Sequence, residues 1–232
     1  MPIHTYLDWN KRPSDLESQI EPYKKYIFIC EGVNTEVWYF RRLVELRKKL
    51  GIHPLIDIRL WEKTGTDKDC SYPQHLARFA REQKNSSTDD FDPEIDKLVV
   101  VFDADIFEEK VKNYDELIQF IEEEDIAAIT NPGFELFLLL HIENSYNDYI
   151  KGKEALYLKK EDGSYSFAQK TLKQITGMNS KKNRRIGELA ENVMIAINQE
   201  QFINQDIHKA KGVVTSNIGK IIESIINEKI AI

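Results

Sequence analysis

Lys97-Leu-Val-Val-Val-Phe-Asp-Ala-Asp-Ile106 is the stretch that decides the fold. Its first half is a continuous apolar run rich in β-branched residues, which predicts a strand buried on both faces. The run breaks off into Asp103 and Asp105, two carboxylates one residue apart. A buried strand that ends in paired carboxylates is a suitable place for a divalent cation. Taken alone the pair is weak evidence, because acidic loops after strands also serve solubility.

The segments on either side predict that this strand belongs to a parallel sheet. Apolar segments of strand length alternate with segments of helical spacing, which is typical of an α/β domain with helices on both faces of the sheet. The predicted strands are residues 26–30, 55–61, 98–102 and 126–130. The predicted helices are residues 35–50, 74–83, 114–124 and 134–141, the last being apolar nearly all round, as a fully buried helix is.

Polar side chains follow three of these strands. Glu31 follows the first, Asp103 and Asp105 the third, and Asn131 the fourth. In an open parallel sheet, ligands bind beyond the carboxyl ends of the strands. Three carboxylates brought together repel one another unless a cation neutralises them, and Mg²⁺ and Mn²⁺ prefer such hard oxygen ligands. We therefore expect Glu31, Asp103 and Asp105 to form a site for Mg²⁺ or Mn²⁺.

The composition is that of an ordinary globular protein. A chain of 232 residues suits one large domain or a domain with a smaller module. No apolar run approaches the roughly 20 residues that span a bilayer, and the first residues lack the order of a signal peptide. Cys30 and Cys70 lie far apart without metal-ligand spacing, so neither a zinc site nor a disulfide framework is indicated. We expect a cytoplasmic protein that does not associate with membranes.

The charge is unevenly distributed along the chain. The net charge of −7 argues at first against a nucleic-acid partner, which is usually met by a basic surface. Residues 151–185, however, hold ten Lys or Arg against three Asp or Glu, so this segment carries +7 and the rest of the chain −14. The segment is compatible with polyanion binding on one face, or with a solvated lysine-rich surface.

Two longer motifs resemble a known family. Glu31-Gly-Val-Asn-Thr-Glu-Val-Trp-Tyr-Phe40 is similar to the EGxxTExxYF opening of RloB-like proteins, and Asn131-Pro-Gly-Phe-Glu-Leu-Phe-Leu-Leu-Leu-His141 is similar to their NPxFExWLLLHF segment. Glu31-Gly32 and Asp103-Ala104-Asp105 also resemble the glutamate and Asp-x-Asp motifs of the Toprim domain. Phe137 stands where the family usually has tryptophan, and Val33-Asn34 replaces a more polar pair. Neither departure replaces one of the acidic residues.

The resemblance implies a Toprim-like fold with a four-stranded parallel sheet and Mg²⁺-dependent cleavage of phosphodiester bonds in DNA or RNA, including tRNA. It also implies a role in prokaryotic defence against phage, beside an ATPase partner. Asp103 and Asp105 would hold one or two metal ions, and Glu31 would ligate metal or act as general acid or base. Gly32 would let the backbone approach a phosphate. For Glu36, the resemblance implies a place in the metal's outer shell, whereas its position at a helix start indicates a favourable dipole interaction.

The chain divides into three predicted regions. Residues 1–24 form a leader, residues 25–142 a Toprim-like catalytic domain, and residues 143–232 a basic, mainly helical extension. In the extension we expect a hairpin or loop at residues 159–165 and helices at 186–202 and 217–228.

The sequence leaves two possible roles open for each of three side chains. A carboxylate inside so apolar a helix is costly to bury unpaired, so Glu135 is either an extra metal ligand or the partner of a nearby arginine. Asn131 most simply caps the helix after it, the alternative being a contact with substrate. His141 is more simply a core histidine than a general base.

The basic segment supplies the candidate contacts to a nucleic-acid backbone. They are Lys181, Lys182, Arg184 and Arg185. Four tyrosines of the extension could stack on bases, although packing is the simpler explanation. They are Tyr146, Tyr149, Tyr157 and Tyr165.

A metal-dependent nuclease is the interpretation that these patterns favour, with nucleic acid, an ATPase and a second copy of the chain as expected partners. A non-catalytic Toprim subunit that binds metal and nucleotide or nucleic acid is the alternative. A phosphoacceptor domain also places acids at strand ends, but it would carry a lysine after a later strand, where this chain has Asn-Pro-Gly after Thr130.

Overall fold

The computed structural model describes residues 23–62, 73–86, 91–104, 113–159 and 165–230. Its centre is a sheet in the order β2-β1-β3-β4-β5, in which the first four strands are parallel and β5 is antiparallel to β4. The strands are β1 (Lys24–Cys30), β2 (Ile56–Trp61), β3 (Lys97–Asp103), β4 (Ile126–Asn131) and β5 (Thr215–Ser216). The four predicted parallel strands are therefore confirmed, and a fifth short strand joins them.

Side chains of the central strands alternate between two hydrophobic clusters. Phe28 of β1 packs in the cluster on one face of the sheet, whereas Ile27 and Ile29 pack in the cluster on the other. This alternation follows from the two-residue period of a strand, and it explains why both faces of β1 and β3 are apolar. On the edge strand β2, Ile56 and Ile58 are buried while Asp57 and Arg59 are half-buried, which matches the predicted difference between its faces.

Helices cover both faces of the sheet. In chain order they are α1 (Thr35–Glu45), α2 (Pro73–Ser86), α3 (Tyr114–Glu122), α4 (Phe134–Leu139), α5 (Glu154–Leu158), α6 (Phe167–Thr176), α7 (Val193–Glu200) and α8 (Ile218–Ile226). Helices α2 and α3 supply the cluster on one face, and α1, α4 and the C-terminal helices supply the other. Every residue of α4 is buried, as its apolar sequence predicts.

The C-terminal region is more varied than the sequence pattern suggests. The predicted helix at 186–202 begins as a 3₁₀ helix, Arg184–Asn192, and continues as α7. Short helical segments at Tyr146–Ile150, Glu154–Leu158 and Ile207–Lys209 were not predicted. Helix α6 was missed too, although Ser166 and Gln169 form a capping box at its start and Gly177, at φ +72°, ends it.

This region is joined to the sheet through Asn217. The side chain accepts a hydrogen bond from the Ile129 N–H at 2.7 Å and donates one to the Ala127 carbonyl at 2.8 Å. These two bonds satisfy backbone groups of β4 that the short strand β5, which pairs only with Thr130 and Asn131, does not reach. Residues on both sides of position 142 contribute strands to this one sheet, and the predicted domain boundary there stays a prediction.

Two other predictions concern parts of the chain outside the described residues. They are most of the leader, residues 1–22, and the tip of the predicted hairpin, residues 160–164. Among the helices that the structure does describe, none is both long and apolar enough to span a bilayer.

Candidate functional site

The carboxyl ends of β1 and β3 bring two predicted site residues together. Cys30 pairs with Val101 in the parallel register, so Glu31 and Asp103 leave the sheet at the same edge. The Asp103 backbone N–H donates to Oε2 of Glu31 across a long contact of 3.4 Å. Thr130 of β4 donates its hydroxyl to Oδ1 of Asp103 at 2.6 Å and so orients that carboxylate. Asp105, the third predicted carboxylate, lies outside the described residues.

Glu135 of α4 reaches the same edge of the sheet, and its carboxylate is buried. Its Oε1 accepts hydrogen bonds from Gln169 Nε2 at 3.1 Å and Ser180 Oγ at 2.8 Å, and forms an ion pair with Lys181 Nζ at 3.3 Å. The expected arginine partner is therefore a lysine instead. The cation comes from the loop after α6 because that loop packs over the start of α4.

Gly133 lies between the two acids. A β-carbon at this position would stand 3.2 Å from Oδ2 of Asp103 and 3.6 Å from Oε2 of Glu135. Its φ of −163° is ordinary extended backbone, so the need for glycine is steric. The second oxygen of Glu135 thus lies on the side of Asp103, while its first is held by protein donors. Sequence reasoning missed Gly133, although it belongs to the Asn-Pro-Gly turn that was noted.

Gly32 accommodates a fourth acid, Glu36. A β-carbon on Gly32 would lie 2.1 Å from Oε2 of Glu36, so the Glu36 carboxylate occupies the space above this glycine. Glu36 is buried in the first turn of α1, where a negative charge is favourable. The observed reason for glycine here is therefore room for Glu36, and an approach of phosphate to Gly32 stays a prediction.

Lys181 is the cation that these acids share. Burial by itself lowers the pKa of its ammonium group, but the carboxylates of Glu135, Glu36 and Asp103 outweigh this and raise the pKa above its ordinary value. The ammonium group is therefore charged at neutral pH. The side chain is 44% exposed, so water screens part of these interactions.

The loop that carries Lys181 is fixed to the start of α1. Thr35 donates its hydroxyl to the Ser180 carbonyl at 3.0 Å, and Asn34 donates its side-chain amide to the Lys181 carbonyl at 3.4 Å. Together with the bond from Ser180 to Glu135, these contacts hold the loop against both α1 and α4. The position of Lys181 is thus set by the fold and not by the ion pair alone.

Asn131 does not cap α4, so that prediction is wrong. The N-cap residue is Gly133, which has no side chain with which to cap the helix. The Asn131 side chain is buried and donates instead to the carbonyls of Ala210 at 2.7 Å and Val213 at 2.9 Å. It points toward the loop before β5, because this loop has carbonyl groups that need donors.

His141 is a core histidine in this structure. The ring is fully buried, with Nε2 2.9 Å from the Tyr39 hydroxyl and Nδ1 3.0 Å from the Phe137 carbonyl. Burial lowers its pKa to about 4, so the ring is neutral at pH 7. The geometry supports the packing interpretation.

The other predicted basic contacts lie at the surface. Lys182 and Arg184 are exposed, and Arg185 forms an exposed ion pair with Glu188 at 3.2 Å. Of the four basic candidates, Lys181 is the one whose ammonium group forms an ion pair with a predicted site carboxylate, that of Glu135. The remaining three are exposed, and whether they contact a nucleic-acid backbone stays a prediction.

The residues present fit a divalent cation in their chemistry. Asp103, Glu31 and Glu135 offer hard carboxylate oxygens, and the Lys181 ammonium already balances part of their charge. Within the described ranges, however, no three Asp, Glu, His or Cys side chains form a cluster that could hold a metal ion. The predicted ligand Asp105 lies outside those ranges, and its role stays a prediction.

Comparison with curated proteins and with solved structures gave no significant match. The family model described as RloB-like protein matches residues 26–225. The match begins within β1, ends within α8 and includes Glu31, Asp103, Glu135 and Lys181. Because this match covers most of the chain, we conclude that the chain belongs to the RloB-like protein family.

Proposed function

We propose that this protein is a metal-dependent nuclease that hydrolyses phosphodiester bonds in DNA or RNA, tRNA included. The observation that carries the proposal is the meeting of Glu31 and Asp103 at the carboxyl ends of neighbouring parallel strands, beside Glu135 and Lys181. Hard oxygen donors beside a cation are suited to a phosphate group that gains charge during hydrolysis. We further propose a role in prokaryotic defence against phage, in the cytoplasm and beside an ATPase partner.

Each residue of the site has a proposed task. Asp103, fixed by Thr130, and Glu31 would hold Mg²⁺ or Mn²⁺ together with Asp105, with Glu135 as a further candidate. A bound metal supplies a Lewis acid that stabilises charge on the phosphoryl oxygens. A Glu31 carboxylate that does not ligate metal can accept a proton from the attacking water. Lys181, charged and partly exposed, can attract a phosphate oxygen of the substrate.

A cleavage assay tests this function. Purified protein is incubated with duplex DNA, single-stranded DNA, total RNA and tRNA, with Mg²⁺, with Mn²⁺ or with EDTA. Where an ATPase is encoded beside the gene, each reaction is run with and without it, because the proposed partner is expected to activate the nuclease. We expect metal-dependent cleavage of at least one substrate.

Variants assign the activity to the site. Glu31→Gln and Asp103→Asn keep the size of each side chain and remove its charge, and Glu143→Gln makes the same change at an exposed position. We expect the first two to lose cleavage and the third to retain it. Absence of cleavage under every condition, or cleavage by all three variants, would contradict the proposal.

A second candidate function is a non-catalytic subunit that binds metal and nucleotide or nucleic acid and signals to its partner. The ion pair between Lys181 and Glu135 favours it, because a resident ammonium group among the acids can stabilise the site without a reaction. This function predicts that calorimetry detects Mn²⁺ binding while no substrate is cut. Binding together with cleavage supports the nuclease instead.

A further inference from the structure

The four tyrosines of the C-terminal region have different surroundings. Tyr157 is buried and donates its hydroxyl to the Tyr149 carbonyl at 3.1 Å, which is a packing role. The ring of Tyr146 stacks on Phe202 with centroids 5.2 Å apart. Tyr165 differs, since 37% of its surface is exposed and its hydroxyl accepts a hydrogen bond from Asn179, in the loop that carries Lys181.

Two hydrogen bonds connect Tyr165 to Lys181. Asn179 donates its side-chain amide to the Tyr165 hydroxyl at 3.1 Å. The carbonyl oxygen of the same side chain accepts from the Lys181 backbone N–H, also at 3.1 Å. Asn179 therefore sets the ring and the lysine in a fixed relation to each other.

The group formed by Tyr165, Asn179 and Lys181 is bound to the acidic site. Lys181 pairs with Glu135, and Ser180 between Asn179 and Lys181 donates to the same carboxylate. The exposed ring of Tyr165 is thus connected through Asn179 to the backbone of Lys181, whose ammonium group pairs with Glu135. The segment in which the ring and lysine occur, residues 151–185, carries the excess of positive charge.

We propose that Tyr165 is a substrate-positioning residue on which one base stacks while Lys181 contacts the adjacent phosphate. Aromatic rings beside cationic groups bind single-stranded nucleic acid in this manner, because a base is free to stack only when it has left a duplex. The preferred substrate is therefore a single-stranded segment, such as a loop or an overhang. The inference rests on the proposed function, and it specifies which form of nucleic acid the site accepts.

Binding measured without cleavage tests the inference. Fluorescence anisotropy in EDTA follows a labelled single-stranded oligonucleotide and an otherwise identical one with abasic positions. Tyr165→Leu removes the ring, Tyr165→Phe keeps it, and Phe202→Leu removes another exposed aromatic ring as a control. Circular dichroism and the melting temperature confirm that each variant is folded.

We expect Tyr165→Leu to weaken binding of the base-containing strand by about tenfold, in line with the usual contribution of one stacked base. Tyr165→Phe keeps the ring but loses the bond from Asn179, so it should bind the base-containing strand less tightly than the parent and more tightly than Tyr165→Leu. Phe202→Leu should bind like the parent, and the abasic strand should not distinguish the variants. Equal weakening on both strands, or none on either, overturns the inference. A parent that cuts nucleic acid while Tyr165→Leu binds normally contradicts this inference alone, whereas a parent that neither binds nor cuts contradicts the proposed function as well.

Discussion

Nζ of Lys181 lies 3.3 Å from Oε1 of Glu135, which joins the loop after α6 to the helix that follows β4. The pair brings a positive charge from the basic segment to the acidic edge of the sheet. A lysine in this position has two consequences that can be measured. It balances the carboxylates when no other cation is present, and it remains available to a phosphate.

Replacing Lys181 should strengthen metal binding. Lys181→Met removes a positive charge that repels a divalent cation approaching Glu135 and Asp103, so we expect Mn²⁺ to bind several-fold more tightly in calorimetry. The free energy of unfolding should fall by about 1 to 3 kcal/mol, because the buried Glu135 carboxylate loses its ion-pair partner while Gln169 and Ser180 still donate to it. Lys182→Met, at an exposed neighbouring position, serves as the control. Equal Mn²⁺ affinity in both variants would contradict the assigned role of Lys181.

The hydroxyl of Thr130 should matter for cleavage. Thr130→Val keeps the shape of the side chain but removes the donor to Oδ1 of Asp103, whereas Thr130→Ser keeps the donor. We expect the valine variant to cleave about tenfold more slowly and the serine variant to stay near the parent, as for an outer-shell partner of a ligating carboxylate. Cleavage rates at saturating Mn²⁺ check this. Similar rates for the two variants would show that Thr130 does not position Asp103.

Two glycine substitutions should have different effects, one on activity and the other on stability. Gly133→Ala places a β-carbon 3.2 Å from Oδ2 of Asp103, so it should reduce Mn²⁺ binding and cleavage with little effect on stability. Gly152→Ala meets no atom within 4 Å but lies at φ +74°, so it should lower the free energy of unfolding by about 1 kcal/mol with activity unchanged. Urea unfolding and the cleavage assay measure the two effects. A Gly133→Ala protein with full activity would show that the site has more room than the structure indicates.

Glu200 should make stability depend on pH. Glu200 is the last residue of α7, and its buried carboxylate faces the start of α8. There it accepts hydrogen bonds from Ser216 Oγ and from the backbone N–H groups of Gly219 and Lys220. Burial raises its pKa from 4.5 to about 7, against the opposing effect of these donors. Because the pKa in the folded protein lies above that of the unfolded chain, this contribution to stability is present below pH 4.5 and is lost as the pH rises through about 7.

The comparison that isolates this effect uses Glu200→Gln, which cannot titrate. The free energy of unfolding of the parent should fall relative to that of the variant by up to about 3 kcal/mol between pH 4.5 and pH 8. Urea unfolding at intervals across this range gives both curves. Parallel curves would mean that the pKa of Glu200 is close to its ordinary value.

The four parallel strands could be predicted because the central ones are apolar on both faces, β2 alternates as an edge strand does, and each ends abruptly. Glu31 and Asp103 were expected to meet, since parallel strands in register end at one edge, and the structure places them there. Strand β5 could not be predicted, because two residues are too few to show a period. Helix α6 was predictable in principle from its capping box, whose local signal was not used.

The acidic site was only partly predictable, because its completion depends on contacts between distant parts of the chain. Glu135 was recognised as a costly buried acid, but nothing near it in sequence indicates that Lys181 pairs with it. Asn131 was assigned a local capping role, whereas its partners come from the loop before β5. In both cases the local pattern identified a polar group that needs a partner, and the tertiary fold determined which partner it has.

The rate of Mn²⁺-dependent cleavage by Asp103→Asn, relative to that of the parent, tests the nuclease function most directly. The change removes one charge and keeps both the size of the side chain and an oxygen that can accept the Thr130 hydroxyl. We predict a loss of at least about a hundredfold, the scale expected when a group that stabilises transition-state charge is removed. A variant that remains folded and cleaves at the rate of the parent would contradict the assignment of this site.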